Sequence, residues 1–345
     1  MSWFERIAAL EALEDAPLDA SLAAEFERAS PRAVGRDIRF STPTFKAYSS
    51  CELEGCGKNS FPAFSVTAGG CALMCDHCQA KILEPMIPST SPETLERKVR
   101  EMIATQDLQG FLLSGGSTRQ NEIRYERYYP VIERLKRDHP ALKVAIHSAL
   151  LDAPRARSMA AAGVDTAMMD VIGAQDTIEQ VYHLERPVAD FEATLAALCA
   201  TSMEVVPHIV IGLHYGRILG EPAALDIVSR HRVHSLVLVV IMPFYAKPGT
   251  FATPDTSDIG RIFLEARSRI PERQVLLGCA RPPGMHRRVT DAYAVMAGLD
   301  GIAFPADGAL AVAQAIGRPA VQEHACCSMK TGRTIKLHPR AAVAA

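Results

Sequence analysis

The chain has 345 residues, of which 48% are hydrophobic and 22% charged, and its formal net charge is −2 at pH 7. This length suits one large α/β barrel or two ordinary domains, and the apolar content excludes global disorder. The balanced charge lacks the basic excess that binds nucleic acid or an anionic membrane surface, so neither partner is expected. The basic run MHRRV at 285–289 is interpreted as solvated or anion-binding.

The N-terminal residues predict a cytoplasmic protein. Glu5, Glu11 and Glu14 interrupt the apolar residues there, and no basic n-region, apolar h-region or cleavage site of a signal peptide is present. The longest apolar run, LVLVVIM at 236–242, is too short for a membrane span and suits a buried strand. Residues 1–59 are predicted as an N-terminal extension that contains Cys51 and Cys56 at CxxxxC spacing.

From residue 60 onward, β-branched runs alternate with helical patterns, which predicts a parallel sheet. Eight such units match an α/β fold of the (β/α)8 TIM type over residues 60–305. An open doubly wound sheet is the alternative, although no GxGxxG follows the first strand. Helix starts are predicted at Ser91-Pro92 and at Thr256 or Ser257. The predicted strands are 63–67, 110–114, 143–147, 166–170, 204–212, 235–242, 274–278 and 301–305, with helices near 92–106, 121–138, 152–162, 189–201, 221–231, 257–269 and 287–298.

Polar residues follow these strands at their carboxyl ends, where barrels of this type carry their sites. Cys71, Cys75 and Cys78 follow the first strand at CxxxCxxC spacing. Three thiols in a reducing compartment predict metal ligation, with a disulfide, a zinc ion, a redox dithiol or an iron–sulfur cluster as candidates. After the later strands come Ser114, Gly115, Gly116, Ser117, His147, Ser148, Asp170 and Cys279.

CxxxCxxC after the first strand of a β/α barrel resembles the radical S-adenosylmethionine (SAM) superfamily. The resemblance implies that Cys71, Cys75 and Cys78 bind three irons of a catalytic [4Fe–4S] cluster, while SAM chelates the fourth. It also implies that reductive cleavage of SAM gives a 5′-deoxyadenosyl radical, which abstracts hydrogen from an unactivated C–H bond. A structural zinc loop of the three cysteines and His77 is the alternative.

LLSGGST at 112–118 resembles the glycine motif of that family, which implies that Ser114, Gly115 and Gly116 line the SAM site. Ser117 stands where the family often has Glu. His147, Ser148 and Asp170 are expected to reach SAM or substrate, with local capping or core hydrogen bonding as the alternative for each.

The remaining cysteines predict an auxiliary [4Fe–4S] cluster where the two extensions meet. Residues 306–345 form the predicted C-terminal extension and include EHACCSMK at 323–330. Cys199, in a helical stretch, is interpreted as an ordinary buried thiol. The candidate auxiliary ligands are Cys51, Cys56, one of Cys326 and Cys327, and further Ser328 or Cys279.

The segments at 162–173, 181–195 and 243–250 resemble biotin synthase-like barrels, and the flanks are similar to lipoyl synthases. Together they most resemble the two-protein lipoyl synthases of archaea and some bacteria. This implies sulfur insertion into C–H bonds of a protein-bound octanoyl chain, with the auxiliary cluster as sulfur donor and Ser328 as a ligand that leaves. The third upstream cysteine of lipoyl synthases is absent, and CCSM stands in place of their C-terminal Arg-Ser-Ser-Tyr motif.

The resemblance implies three partners: an octanoylated lipoyl domain or carrier protein, a paralogous radical SAM protein, and an electron donor such as ferredoxin or flavodoxin. A biotin synthase-like enzyme with another substrate is the alternative function, its extra cysteines relaying electrons or anchoring substrate. A non-catalytic zinc or iron–sulfur scaffold is the remaining interpretation.

Overall fold

The structure, a computed structural model, describes residues 2–43, 48, 50–53, 60–329 and 331–337. Its centre is a 12-stranded sheet with the strand order β12-β11-β1-β10-β9-β8-β7-β6-β5-β4-β2-β3. The strands are β1 (Ile38–Ser41), β2 (Ala63–Ser65), β3 (Ile87–Pro88), β4 (Gly110–Ser114), β5 (Lys143–His147), β6 (Thr166–Asp170), β7 (Glu204–Ile211), β8 (Ser235–Val240), β9 (Gln274–Leu277), β10 (Gly301–Ala303), β11 (Ala320–Glu323) and β12 (Thr334–Leu337).

The predicted α/β barrel-type fold is confirmed. All eight predicted strands are present as β2 and β4–β10, and each pairs in parallel with its neighbour in the sheet. The sheet curls into a half-barrel whose strand order ends at β12 and β3, and alternate side chains of β5–β10 meet on its inner face in one apolar cluster with Phe61 and Met329. The carboxyl ends of these parallel strands therefore surround a common mouth.

Helices cover the outer face of the sheet and follow the predicted alternation. Ser91 caps α3 by accepting a hydrogen bond from the Thr94 N–H at 3.2 Å, as predicted. The cap of α9 is Asp255, one residue earlier than predicted. No described helix is long and apolar enough to cross a membrane. The helices are α1 (Trp3–Ala8), α2 (Ala23–Ala33), α3 (Pro92–Thr105), α4 (Tyr129–Asp138), α5 (Ala153–Ala161), α6 (Gln175–Val181), α7 (Val188–Cys199), α8 (Glu221–Ser229), α9 (Thr256–Arg269), α10 (Met285–Met296) and α11 (Ala309–Ala315).

The chain segments before and after the barrel meet, as the sequence analysis expects, but they do so by strand pairing in the sheet, which the sequence did not predict. Strand β1 pairs in parallel with both β10 and β11, and β12 pairs antiparallel with β11. Arg39 on β1 reaches the Glu323 carboxylate at 3.4 Å and the Cys327 carbonyl oxygen at 2.7 Å. These contacts bring the CCSM segment against the inner cluster of the barrel, beside Cys279.

Arg281 follows β9 and is completely buried. Its guanidinium binds both carboxylate oxygens of Asp291, at 2.7 and 2.9 Å. It also donates to the carbonyl oxygens of Gly278, Ala303 and Phe304. Arg281 is thus fully satisfied within the fold and ties the ends of β9 and β10 to α10.

Candidate active site

The loop with the three cysteines, 71–78, is fastened to the glycine loop that follows β4. Ala72 N–H donates to the Ser117 carbonyl oxygen at 2.9 Å, and Cys71 Sγ lies 3.8 Å from the same oxygen. Gly116 N–H donates in turn to Thr67 Oγ1 at 2.7 Å. The two sequence motifs, 46 residues apart at Cys71 and Ser117, thus form one structural unit at the mouth of the barrel.

The contact between the cysteine loop and the glycine loop requires a glycine at position 116. A β-carbon there would lie 2.0 Å from the Gly70 carbonyl oxygen and 2.6 Å from Cys71 Cα, which are backbone atoms that cannot move aside cheaply. Gly115 is less constrained, because its nearest neighbour is a Val66 side-chain methyl group at 2.7 Å. The glycine motif therefore positions the cysteine loop, in addition to any contact with a ligand.

The thiols of Cys75 and Cys78 form a hydrogen-bonded pair. The Cys75 thiol and the neighbouring His77 ring lower the pKa of Cys78 to about 4, and the Ala80 N–H also stabilises its thiolate. Donation to Cys78, together with burial, raises the pKa of Cys75. A stable thiolate is the form of cysteine that binds metal, so the loop is electrostatically prepared for ligation.

Asp76, which the sequence analysis did not single out, anchors the cysteine loop to the opposite side of the mouth. Its carboxylate contacts His183 Nε2 at 3.1 Å and accepts from the Tyr215 hydroxyl at 3.4 Å. Its backbone N–H donates to Val181 O at 2.9 Å, and its carbonyl oxygen accepts from Lys247 N–H at 2.8 Å. Asp76 therefore holds the middle of the triad at a fixed place between the loops after β6, β7 and β8.

Replacing Asp76 by alanine should lower the affinity of the loop for iron about 10- to 100-fold, because outer partners fix the orientation of metal ligands. The measurement is iron retained per chain after gel filtration against a graded chelator series. Asp76→Asn is the matched control, since an amide oxygen can still accept from Tyr215, and it should retain most of the iron. Equal retention in wild type and Asp76→Ala would show that the carboxylate has no anchoring role.

The predicted cofactor-contacting residues lie together at the carboxyl ends of β4–β6, beside His208 of β7, which was not predicted. His147 Nε2 is 3.7 Å from Asp170 Oδ1, and its ring meets that of His208 on β7 at 5.4 Å. Burial and the neighbouring His147 lower the pKa of His208 to about 4, so this ring is neutral near pH 7. Ser114 contacts the hydroxyl of Tyr125, which donates to the His147 carbonyl oxygen at 2.8 Å.

Several buried polar atoms in this region are left without a partner. Ser148 Oγ, His77 Nδ1 and the Tyr182 hydroxyl make no hydrogen bond to any described residue. The His77 and Tyr182 rings pack 4.9 Å apart beside the cysteines. Because buried polar groups are normally satisfied, these atoms mark a place where a polar ligand fits.

The donor set also fits an iron–sulfur cluster. Among the residues that the structure describes, no three His, Cys, Asp or Glu side chains converge as the ligands of a single metal ion. The soft thiolates of Cys71, Cys75 and Cys78 are the ligands that iron–sulfur clusters use, and each would bind a different iron. Cys71 and Cys78 are partly accessible and Cys75 is buried, so the loop faces both the mouth and the barrel.

The predicted auxiliary ligands are brought together only in part. Cys326 and Cys327 form a second thiol pair, and the Cys327 thiol with Ser328 lowers the pKa of Cys326 to about 7. Cys327 Sγ lies 4.0 Å from Ser328 Oγ, and donation to Cys326 together with burial raises the pKa of the Cys327 thiol. Cys279, Cys326 and Cys327 all adjoin the inner apolar cluster.

Cys51 is exposed and lies beside Asp307, in the segment after β10. Its N–H donates to Asp307 Oδ1 at 3.0 Å, and burial together with Asp307 raises the pKa of its thiol. Cys56 lies outside the described residues. The geometry thus groups three of the predicted auxiliary cysteines and leaves the upstream pair as a prediction.

Residues 65–217 match the protein-family model of the radical SAM superfamily. The segment contains the cysteine triad, the glycine loop and the polar residues after β5 and β6. No curated protein matches the chain.

Solved structures show the same fold. HydG, a maturase of the [FeFe]-hydrogenase, is 14% identical with a TM-score of 0.59, and the match covers 87% of this chain and 67% of that one. Methylornithine synthase, PylB, is 11% identical with a TM-score of 0.57, covering 89% and 86%. The HydG structure from Carboxydothermus hydrogenoformans is 16% identical with a TM-score of 0.53, covering 87% and 68%.

Proposed function

We propose that this chain is a radical SAM enzyme in which Cys71, Cys75 and Cys78 hold a [4Fe–4S] cluster beside bound SAM. The observation that carries the proposal is the direct fastening of the cysteine loop to the glycine loop, inside the segment that matches the radical SAM model. When bound, the cluster and SAM together supply a one-electron route to a carbon radical able to take hydrogen from an unactivated C–H bond.

The protein's own residues bind and orient the ligands and exclude water from the site. Gly115 and Gly116 allow a ligand close to the backbone, and Ser148 Oγ offers an unused hydrogen-bonding group after β5. Neutral His208 and the His147–Asp170 pair present polar groups on the same side. The apolar side chains of the barrel interior, which include Met168, lie next to these polar groups. They keep water away from a reactive intermediate.

The finer proposal is sulfur insertion of the lipoyl synthase type, on an octanoyl chain attached to a protein lysine. Its support is the group of Cys279, Cys326, Cys327 and Ser328 at the inner cluster, where an auxiliary [4Fe–4S] cluster would face the substrate. A serine oxygen is a hard ligand for iron and would leave more readily than a thiolate. The buried apolar surroundings suit an acyl chain.

The partners of that reaction remain proposals. They are an octanoylated lipoyl domain or carrier protein in the cytoplasm, a paralogous radical SAM protein that places the other sulfur, and a ferredoxin or flavodoxin that supplies electrons. The reaction needs an external reductant, because each SAM cleavage consumes one electron that this chain does not itself generate.

Electron relay or substrate anchoring by the extra cysteines is the second candidate function, and one observation favours it. Cys51 is exposed, whereas Cys326 and Cys327 lie at the inner apolar cluster, and this difference favours separate roles for the two groups of cysteines. In that case the enzyme would act on another substrate, with the inner cysteines holding it or passing electrons to it.

Mass spectrometry of an octanoyl-lysyl peptide separates the two functions. After anaerobic incubation with the reconstituted enzyme, SAM and reductant, sulfur insertion adds sulfur to the peptide, whereas relay or anchoring leaves it unchanged. Cys326→Ala should abolish sulfur addition, and Cys199→Ala on the outer helix α7 should not. Undiminished sulfur addition by Cys326→Ala would exclude an auxiliary donor at this position.

A further inference from the structure

We infer that Arg287 and Arg288 form a subsite for a carboxylate group of the substrate, in a cleft beside the barrel mouth that the radical SAM site does not use. The cleft has a volume of about 430 Å³, which lies in the range of small-ligand sites. Its walls are Tyr48, Gly284, Met285, Arg287, Arg288, Pro305, Ala306 and Asp307.

Arg287 and Arg288 are half-buried, and their guanidinium groups lack the carboxylate partner that buried Arg281 has. Arg281 nearby pairs with Asp291, but neither Arg287 nor Arg288 forms an ion pair with a described carboxylate. Arg287 Nε is buried and makes no hydrogen bond to a described residue. Its other recorded contact, to the Arg281 carbonyl oxygen, is long at 3.5 Å. A planar donor group held in this state fits an oxyanion.

Without a bound anion, the positive charge of the cleft destabilises the folded protein. Arg287 and Arg288 are adjacent in the first turn of α10, where the helix dipole disfavours cations. Burial and the nearby Arg281 lower the pKa of Arg287. Against the effect of burial, hydrogen bonds from Ser50 and Cys51 and the charge of Arg288 lower the pKa of Asp307, the acidic group of the cleft. This carboxylate, whose Oδ1 accepts from Ser50 Oγ at 2.7 Å and from Cys51 N–H, therefore offsets part of the positive charge. A bound anion would offset the remaining charge.

The cleft shares a wall with the barrel interior. The Tyr48 ring packs against Phe304 at 5.5 Å, its hydroxyl donates to the Pro305 carbonyl oxygen at 2.7 Å, and Phe304 belongs to the inner cluster with Cys327. A substrate whose reacting carbon lies in the barrel can therefore place an acidic group on the arginines outside it.

This inference rests on the proposed function only in taking the barrel as the place of reaction. The carboxylate can belong to a small molecule or to an acidic side chain beside the acylated lysine of a carrier protein. In both cases the chemistry is the same, a carboxylate bound by two guanidinium groups.

Binding to the full-length, anaerobically reconstituted protein tests the inference without requiring turnover. Titration calorimetry compares octanoate with neutral octanamide, and an octanoyl-lysyl peptide flanked by Asp with the same peptide flanked by Asn. The carboxylate form of at least one pair should bind about 10- to 100-fold more tightly, as hydrogen bonds between charged groups allow. Preference for octanoate identifies a small-molecule source, and preference for the Asp peptide identifies a carrier.

The preference should disappear in Arg288→Gln and in Arg287→Gln, while Arg287→Lys should retain part of it. Arg232→Gln is the control, because Arg232 is exposed on the loop before β8, away from the cleft. Thermal melts show whether each variant is folded. If Arg287→Gln is unfolded, the test is decided by Arg287→Lys and Arg288→Gln. Equal binding of charged and neutral partners in both pairs overturns the inference, as does a preference that survives both glutamine variants. Because SAM cleavage is not measured, failure here leaves the proposed function standing.

Discussion

Cys75→Ala should reduce reductive cleavage of SAM by more than about a hundredfold, since loss even of an outer partner of a metal site costs about 10- to 100-fold. Cys75 is the buried member of the triad and supplies the hydrogen bond that stabilises the Cys78 thiolate. Removal of the Cys75 thiol deletes one predicted ligand of the cluster. It also makes ionisation of the Cys78 thiol less favourable. The measurement is 5′-deoxyadenosine formed by anaerobically reconstituted protein, together with iron bound per chain.

Cys199→Ala is the matched control for that variant. Cys199 ends α7 on the outer face of the sheet, and burial raises the pKa of its thiol to about 11, so it is not prepared for ligation. It should leave both iron content and 5′-deoxyadenosine formation at wild-type values. If Cys75→Ala also kept wild-type cleavage, the triad would not be the catalytic centre.

Gly116→Ala should impair the same activity about a hundredfold, although glycine carries no reactive group. The added β-carbon would meet the Gly70 carbonyl oxygen at 2.0 Å and Cys71 Cα at 2.6 Å, so the cysteine loop must move away from the glycine loop. A displacement of about 1 Å in a positioned site is enough for a loss of that size. Iron binding and 5′-deoxyadenosine formation should fall together.

Gly69→Ala provides a control in the same loop, because a β-carbon at Gly69 meets nothing within 4 Å and its backbone is not left-handed. It should behave as wild type in both measurements. If Gly116→Ala retained wild-type iron and cleavage, the two loops would not need the contact that the structure shows. If Gly69→Ala were equally impaired, the effect would be one of general loop flexibility.

The barrel could be predicted from sequence because β5–β10 are short apolar runs with a helix after nearly every one. Strand β1 could not be predicted, since the sequence IRFS contains Arg39, whose charge disguises a buried strand. That arginine is compensated by Glu323 and the Cys327 carbonyl oxygen, which are distant in sequence. Partners of this kind become visible only when the fold brings the two ends of the chain together.

The candidate site was likewise predictable from the sequence only in part. The spacing of Cys71, Cys75 and Cys78 and the glycines after β4 predicted a ligand-binding site, and the structure places these two motifs in contact. Asp76 was missed, because its partners His183 and Tyr215 are 107 and 139 residues away. The upstream Cys51 was predicted as a ligand from its spacing to Cys56, and that spacing could not reveal its contact with Asp307.

The most direct test of the account is the reconstituted wild-type protein itself. Iron, acid-labile sulfide and zinc are counted per chain, and 5′-deoxyadenosine is measured after addition of SAM and reductant. We expect about four iron and four sulfide for the catalytic cluster alone, or about eight of each with the auxiliary cluster, and 5′-deoxyadenosine formation in either case. Zinc as the bound metal, without 5′-deoxyadenosine, would contradict a radical SAM function for this chain.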